Sequence, residues 1–171
     1  MRVIAGKFRS RLLRAPHGMD VRPTSDRLRE TLFNVLTPGN PEALAGSVWL
    51  DVCAGTGAVG IEAISRGASS VYFIEAARDA ARILRENLRA LGITEGYEVS
   101  EREAAAALRL LDTNAVVCDY CFFDPPYAAD ELYPAVLGFL SQSRLLKPAS
   151  IVIHVRGSGT SVTAAKNRNV S

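Results

Sequence analysis

The sequence is poor in nearly everything that would place a chain in a special class. Its three cysteines, Cys53, Cys118 and Cys121, are an odd number without framework spacing, so a disulfide scaffold is not expected. Cys118-x-x-Cys121 has no second Cys or His pair downstream, which argues against a zinc site. The pair sits on an expected strand, where small thiols pack as core. His17 and His154 are lone histidines and read as structural or solvent-facing. No apolar run approaches the roughly 20 residues that a membrane helix needs. The first residues carry charge without the apolar stretch of a signal peptide, so the expected compartment is the cytoplasm. Repeats and low-complexity blocks are missing too. What remains, 171 residues at 48% hydrophobic and 22% charged, suits one soluble domain with a real core.

The net charge of +2 hides an uneven distribution. Residues 1–29 hold eight bases (Arg2, Lys7, Arg9, Arg11, Arg14, Arg22, Arg27, Arg29) against two acids, Asp20 and Asp26. The rest of the chain is net acidic. A basic arm on a mildly acidic body suits contact with a polyanion, the plainer alternative being a solvated surface hairpin. Residues 2–14 alternate loosely around Gly6-Lys7 and read as a β-hairpin. A Pro/Gly-rich connection follows, then a helix from about Asp26 to Leu36 with Thr24 or Ser25 as its cap.

From Val48 onward the pattern alternates strand and helix. Strands are expected at 48–53, 71–74, 97–100, 116–123 and 151–155, and helices at 59–66, 78–91, 103–111 and 131–140. Such alternation implies an α/β fold, a parallel sheet covered on both faces. Three segments follow from this pass: a basic arm at 1–22, the main domain at 23–156, and a polar tail at 157–171 that reads as loop or disorder.

DVCAGTGAVG, residues Asp51 to Gly60, leaves the first strand and opens a helix, with Gly55, Gly57 and Gly60 spelling G-x-G-x-x-G. Glycine lets backbone turn tightly and approach a ligand. Glu75 ends the second strand 20 residues after Gly55, where a carboxylate can accept the hydroxyls of a ribose. A dinucleotide and S-adenosylmethionine both fit. Asp51 favours the second, because an acid beside the loop repels a pyrophosphate and attracts an ammonium.

FFDPPY, residues Phe122 to Tyr127, ends the fourth strand of the series. Ligands of open α/β sheets bind at the carboxyl ends of the strands, so Asp124 is expected to face the crevice of the glycine loop. Pro125 and Pro126 each fix φ and remove a donor. An acceptor pair beside the flat face of Tyr127 suits a planar base carrying an NH₂ group.

The D-P-P-Y motif resembles that of S-adenosylmethionine-dependent amino-methyltransferases. RVIAGKFRSRLL, RPTSDRLRETLFNVL, DVCAGTGAVGIEAISRGA and FFDPPY, in this order, resemble the bacterial 16S rRNA guanine-N2 methyltransferases that modify guanine 966. The resemblance covers about residues 2–155, and its most specific piece lies at Arg22 to Leu36. It implies a Rossmann-like methyltransferase sheet and an N-terminal hairpin touching rRNA in a small-subunit assembly particle, with no metal. By position it implies that Asp51, Ala54, Gly55, Gly57 and Glu75 line the cofactor pocket. Ala104 matches an Asn-Ala pair that meets the adenine, with Glu103 here replacing the Asn. Asp124 and the Pro125 carbonyl would hold the target amine, with Pro126 stiffening the loop and Tyr127 stacking on the base. Arg2, Lys7, Arg9, Arg11, Arg14 and Arg22 would meet RNA. Thr24, Arg27 and Glu30 would lie near the cleft.

The pattern departs from the family after 155, where two closing strands are expected and only RGSGTSVTAAKNRNVS follows. The strand at 151–155 is therefore expected at a sheet edge. The alternatives are a DNA adenine-N6 methyltransferase of the same motif class, a protein glutamine methyltransferase, and an RNA-binding homologue without turnover. The glutamine enzymes usually carry Asn at the position of Asp124, and the DNA enzymes lack the RPTSDRLRETLFN segment. A nicotinamide dehydrogenase would leave DPPY and Asp51 without a role.

Overall fold

The structure, a computed structural model, describes residues 1–15, 26–126, 131–156 and 159–164. Arg22, Thr24 and Tyr127, singled out above, lie outside the described residues. The elements run α1 (Asp26–Leu36), β1 (Val48–Val52), α2 (Ala58–Ser65), β2 (Ser70–Ile74), α3 (Arg78–Ala90), β3 (Tyr97–Ser100), α4 (Ala104–Thr113), β4 (Cys118–Phe123), α5 (Leu132–Gln142), β5 (Leu146–Arg156) and β6 (Gly159–Ala164). The sheet order is β3-β2-β1-β4-β5-β6, with the first five strands parallel. The chain winds outward from β1 to β3, then returns and winds the other way through β4 and β5. The switch of direction falls between β1 and β4, where α/β sheets open a ligand crevice at the strands' carboxyl ends.

Both sheet faces are covered, so the strands read as apolar runs rather than alternations. Adjacent residues of β1 serve opposite cores, as the pleat requires. Trp49 packs with Phe33 of α1, Phe73 and Phe122. Leu50 packs with Leu108 of α4, Cys121, Phe123 and Val136. Cys118 and Cys121 are buried apolar filling in this second core. Ala81, Leu84 and Leu88 of α3 recur at helical spacing on its buried face.

Helix α2 is unusual in being buried on nearly all sides, Glu62 and Ser65 included. One side meets the sheet and the other meets the arm. Expected as a hairpin, the arm makes a single bridge among its described residues, Arg2 to Leu12. Its ribbon is closed by Val3 N–H to Arg11 O and Leu13 N–H to Met1 O. Four further amides turn to α2 instead. Ile4 and Ala5 donate to the Glu62 carboxylate at 2.8 and 3.0 Å, Lys7 to Ser65 O, and Phe8 to Ser65 Oγ. Gly6 allows this docking: at φ +80° it sits so close that a Cβ would lie 1.9 Å from Ser65 O. Val3 and Leu13 join the first core.

Two expectations need correction. The strand expected at 151–155 starts earlier, at Leu146, and runs through Pro148. A register irregularity between Cys118 and Tyr120 accommodates the proline, with Ser150 Oγ bonded to Cys118 O. The same irregularity explains Asp119, a polar residue in an apolar strand: its Oδ2 takes the Val48 amide at 2.8 Å and it pairs with Lys147. Second, β5 is not an edge. Residues 159–164, within the tail expected to be loop, form β6 and pair antiparallel with β5 from Arg156↔Gly159 to Ile151↔Ala164. The tail lacks large apolar residues, but Thr160, Val162 and Thr163 are β-branched, and a backbone ladder needs no large side chain.

Candidate active site

The crevice is built from strand ends. β1 delivers Asp51 and then the glycine loop, β2 delivers Glu75, the turn after β3 delivers Glu103 and Ala104, and β4 delivers Asp124. Val52 and Phe123 are register partners, and the Asp124 amide reaches Val52 O at 3.4 Å. The ladder thus fixes Asp124 beside the start of the loop. Pro125 is buried behind it and Pro126 is exposed.

The three glycines of the fingerprint have different physical duties. A Cβ on Gly60 would stand 2.2 Å from the Phe73 ring, and one on Gly57 would stand 2.8 Å from Leu84. Those two let α2 pack on β2 and α3. A Cβ on Gly55 would meet nothing within 4 Å, so Gly55 borders open space. Its amide donates to Glu75 Oε2 at 2.7 Å, and Glu75 Oε1 accepts from Ala77. A carboxylate has about four acceptor sites, so Glu75 keeps capacity for a ligand's hydroxyls.

Asp51 is 1% exposed, and its Oδ2 accepts the Gly60 amide at 2.9 Å. Gly57, at the helix cap, has no side chain to offer, so Asp51 supplies that acceptor from β1. Burial pushes the Asp51 carboxyl up to about 7, the Gly60 bond opposes this, and the charges of Asp124 and Glu75 add to it. Cys53 follows at φ +60°, a left-handed conformation uncommon outside glycine and typical of functional turns. Its thiol is pushed up to about 12 by burial first, then by Glu75, Asp51, Asp124 and Glu103. That thiol therefore feels all four carboxylates that the sequence placed in the site. The crevice is a negative one, suited to a cation and hostile to phosphate. Glu103 is exposed ahead of α4, and Ala104 is buried.

Arg2, Arg9, Arg11 and Arg14 are exposed on the arm, and Lys7 stands beside them. Arg27 and Glu30 lie on the exposed side of α1, while the buried member of that segment is Arg29, fully inaccessible. Arg29 donates to Arg2 O at 2.8 Å and pairs with Asp26 and with Glu62 at 3.5 Å. Sequence reading missed this clamp, and missed Asn87, which ties the arm to the glycine loop. A polar residue at a core-facing position of an amphipathic helix was the signal available.

A family model described as "Conserved hypothetical protein 95" matches residues 1–168. The chain is 35% identical to a Haemophilus influenzae protein named "Ribosomal RNA small subunit methyltransferase D", over 89% of this chain and 76% of that one. An Escherichia coli K12 protein of the same name is 36% identical over 74% of this chain and 60% of its own length. Among solved structures, a hypothetical protein of Thermus thermophilus superposes with a TM-score of 0.77 at 31% identity, over 90% of this chain and 84% of that one.

Proposed function

The chain belongs to the conserved hypothetical protein 95 family, with the small-subunit rRNA methyltransferases D as relatives, and from that premise we propose that it methylates the exocyclic N2 amine of a guanine in 16S rRNA. The observation that carries this reading is the convergence of Asp51, Glu75, Glu103 and Asp124 around an open glycine loop. The donor set fits S-adenosylmethionine. Glu75 would hold the ribose hydroxyls, Gly55 and Ala54 would give backbone approach, Ala104 and Glu103 would border the adenine, and Asp51 would balance the ammonium. Bound there, S-adenosylmethionine supplies an activated methyl on a sulfonium sulfur.

The protein's own part is orientation and charge. The amine of guanine is a poor nucleophile because its lone pair is delocalised into the ring. The Asp124 carboxylate and the Pro125 carbonyl accept its two N–H bonds and favour a pyramidal nitrogen. The positive charge that develops on nitrogen is stabilised by the carboxylate. Alignment of reacting groups supplies up to about 7–11 kcal/mol in well-oriented reactions. Burial of Pro125 and the ladder bond to Asp124 support this reading by holding both acceptors rigidly. The arm's bases would bring RNA to a crevice that would otherwise repel it. The substrate form is a small-subunit assembly particle in the cytoplasm.

The test is transfer of labelled methyl to 30S particles lacking the modification, with nucleoside analysis. Label in N2-methylguanosine is the expected result. Asp124→Ala should abolish transfer and leave cofactor affinity within about twofold. Equal loss of binding and transfer would overturn the role given to Asp124, and label in N6-methyladenosine would overturn the substrate.

A further inference from the structure

We propose that the groove between α3 and β3 is a second nucleotide-binding contact for the RNA substrate, with a backbone phosphate on Arg89 and a base against Tyr97. This rests on the rRNA methyltransferase reading and extends the RNA surface beyond the arm.

The groove is a cavity of about 410 Å³ lined by Arg85, Arg89, Thr94, Tyr97 and Glu98 over an apolar floor of Ile93 and Val99. Its volume is in the range of small-ligand sites and suffices for one nucleotide. Tyr97 packs one side on the core and is half-buried, so its ring is fixed before any ligand arrives. A fixed ring beside a guanidinium is the pairing that binds single-stranded nucleic acid without sequence preference. Arg89 is exposed in the last turn of α3. Arg85 is pinned on Glu101 and on Val99 O at 3.4 Å, which orders that wall of the groove.

The surroundings extend the same chemistry. Arg11 Nη2 of the arm donates to Ala90 O at the end of α3, at 3.1 Å. Arg14 of the arm and Arg82 of α3 share one carboxylate, Glu86, at 2.9 and 2.8 Å. Arm and helix therefore present one surface, holding Arg11, Arg14, Arg82, Arg85 and Arg89 against Glu86, Glu95, Glu98 and Glu101. The excess is positive beside a crevice that is negative. A phosphodiester strand is repelled by the carboxylates around Cys53 and drawn along this track instead. The groove lies three strands from Asp124, and Tyr97 is level with Tyr120, four residues before Asp124 along the strands; at ~4.8 Å per strand and ~3.3 Å per residue the two are about 20 Å apart, within reach of one RNA loop.

The test compares wild type, Arg89→Glu and Arg89→Lys in binding 30S particles that lack the modification, between about 50 and 200 mM salt. Cofactor affinity and melting temperature are measured alongside. Arg89→Glu should weaken RNA binding about tenfold and lower the salt slope by about 1, with cofactor affinity unchanged. Arg89→Lys should stay within about twofold of wild type, because a phosphate contact asks for charge. An Arg89→Glu protein with wild-type affinity and slope would overturn the groove while leaving the methyltransferase reading intact. A wild type that transfers methyl to no RNA would overturn that reading, and RNA binding by the variants would still decide the groove.

Discussion

Asn87 of α3 grips Arg14 of the arm from both sides: its Oδ1 accepts the Arg14 amide at 2.7 Å, and its Nδ2 donates to Arg14 O at 3.1 Å. The same Nδ2 donates to Thr56 O in the glycine loop at 3.1 Å. One buried amide thus fixes the basic arm at Arg14 to the glycine loop. It copies the two-bond pairing of a β-strand at a place where no strand runs.

Asn87→Leu should destabilise the protein by about 2–4 kcal/mol, because three backbone groups lose a partner at a site 1% exposed. Urea unfolding measures the loss. Hydrogen exchange at the Arg14 amide should accelerate beyond the global change, and an unchanged protection factor there would show that the pairing is dispensable.

The glycines predict two opposite phenotypes. Gly60→Ala drives a methyl to 2.2 Å from the Phe73 ring and should cost about 1–3 kcal/mol or more in stability, an overpacking effect. Gly55→Ala meets no neighbour, so its stability cost is about 1 kcal/mol of left-handed strain at φ +56°. Its methyl occupies the open space of the loop, so S-adenosylmethionine affinity should fall far more than stability. Calorimetric titration beside thermal melts separates the two.

Asp51 gives a pH dependence of definite sign. Its carboxyl is raised from 3.8 to about 7 in the folded protein, chiefly by burial. The folded state therefore binds more protons than the unfolded state between those values, and stability from this group falls as pH rises. The loss is complete above about 7. Asp51→Asn keeps an acceptor for Gly60 and should flatten the urea midpoint between about pH 4 and 7 relative to wild type. A cationic cofactor favours the ionised form, so wild-type affinity for S-adenosylmethionine should rise from about pH 6 to pH 8 and that of the variant should not.

Glu62 should matter more than its exposed neighbours. It holds Ile4, Ala5 and Arg66 by hydrogen bonds and faces Arg29, and both Glu62 and Arg29 are fully buried. Glu62→Gln turns an NH₂ toward donors and removes the buried counter-charge that faces Arg29, a change of about 3–5 kcal/mol. The arm should come away first. Trypsin cleavage after Lys7 and Arg9 should then appear under conditions where wild type resists.

The site was more legible than the clamp. Glycine spacing, the carboxylates at or after the ends of β1 to β4 and the D-P-P run are local and chemical, so they show in the chain as written. Arg29, Glu62, Ser65 and Asn87 do not: a polar residue at a core-facing helical position signals burial, but its partner comes from a segment far away in sequence. Gly6 is the same case: its need for a missing Cβ exists only where Ser65 approaches.

The alternation of strands and helices, the apolar runs that fill the core and the carboxylates at the strand ends are written in residue order, because burial periodicity and turn chemistry act over a few residues. Three further features arise only on folding. The four carboxylates share one crevice because the sheet order changes direction between β1 and β4. The arm is docked rather than loose because α2 offers it buried acceptors. And residues 159–164 form a strand because β5 offers an edge whose unpaired backbone groups take a partner by hydrogen bonding.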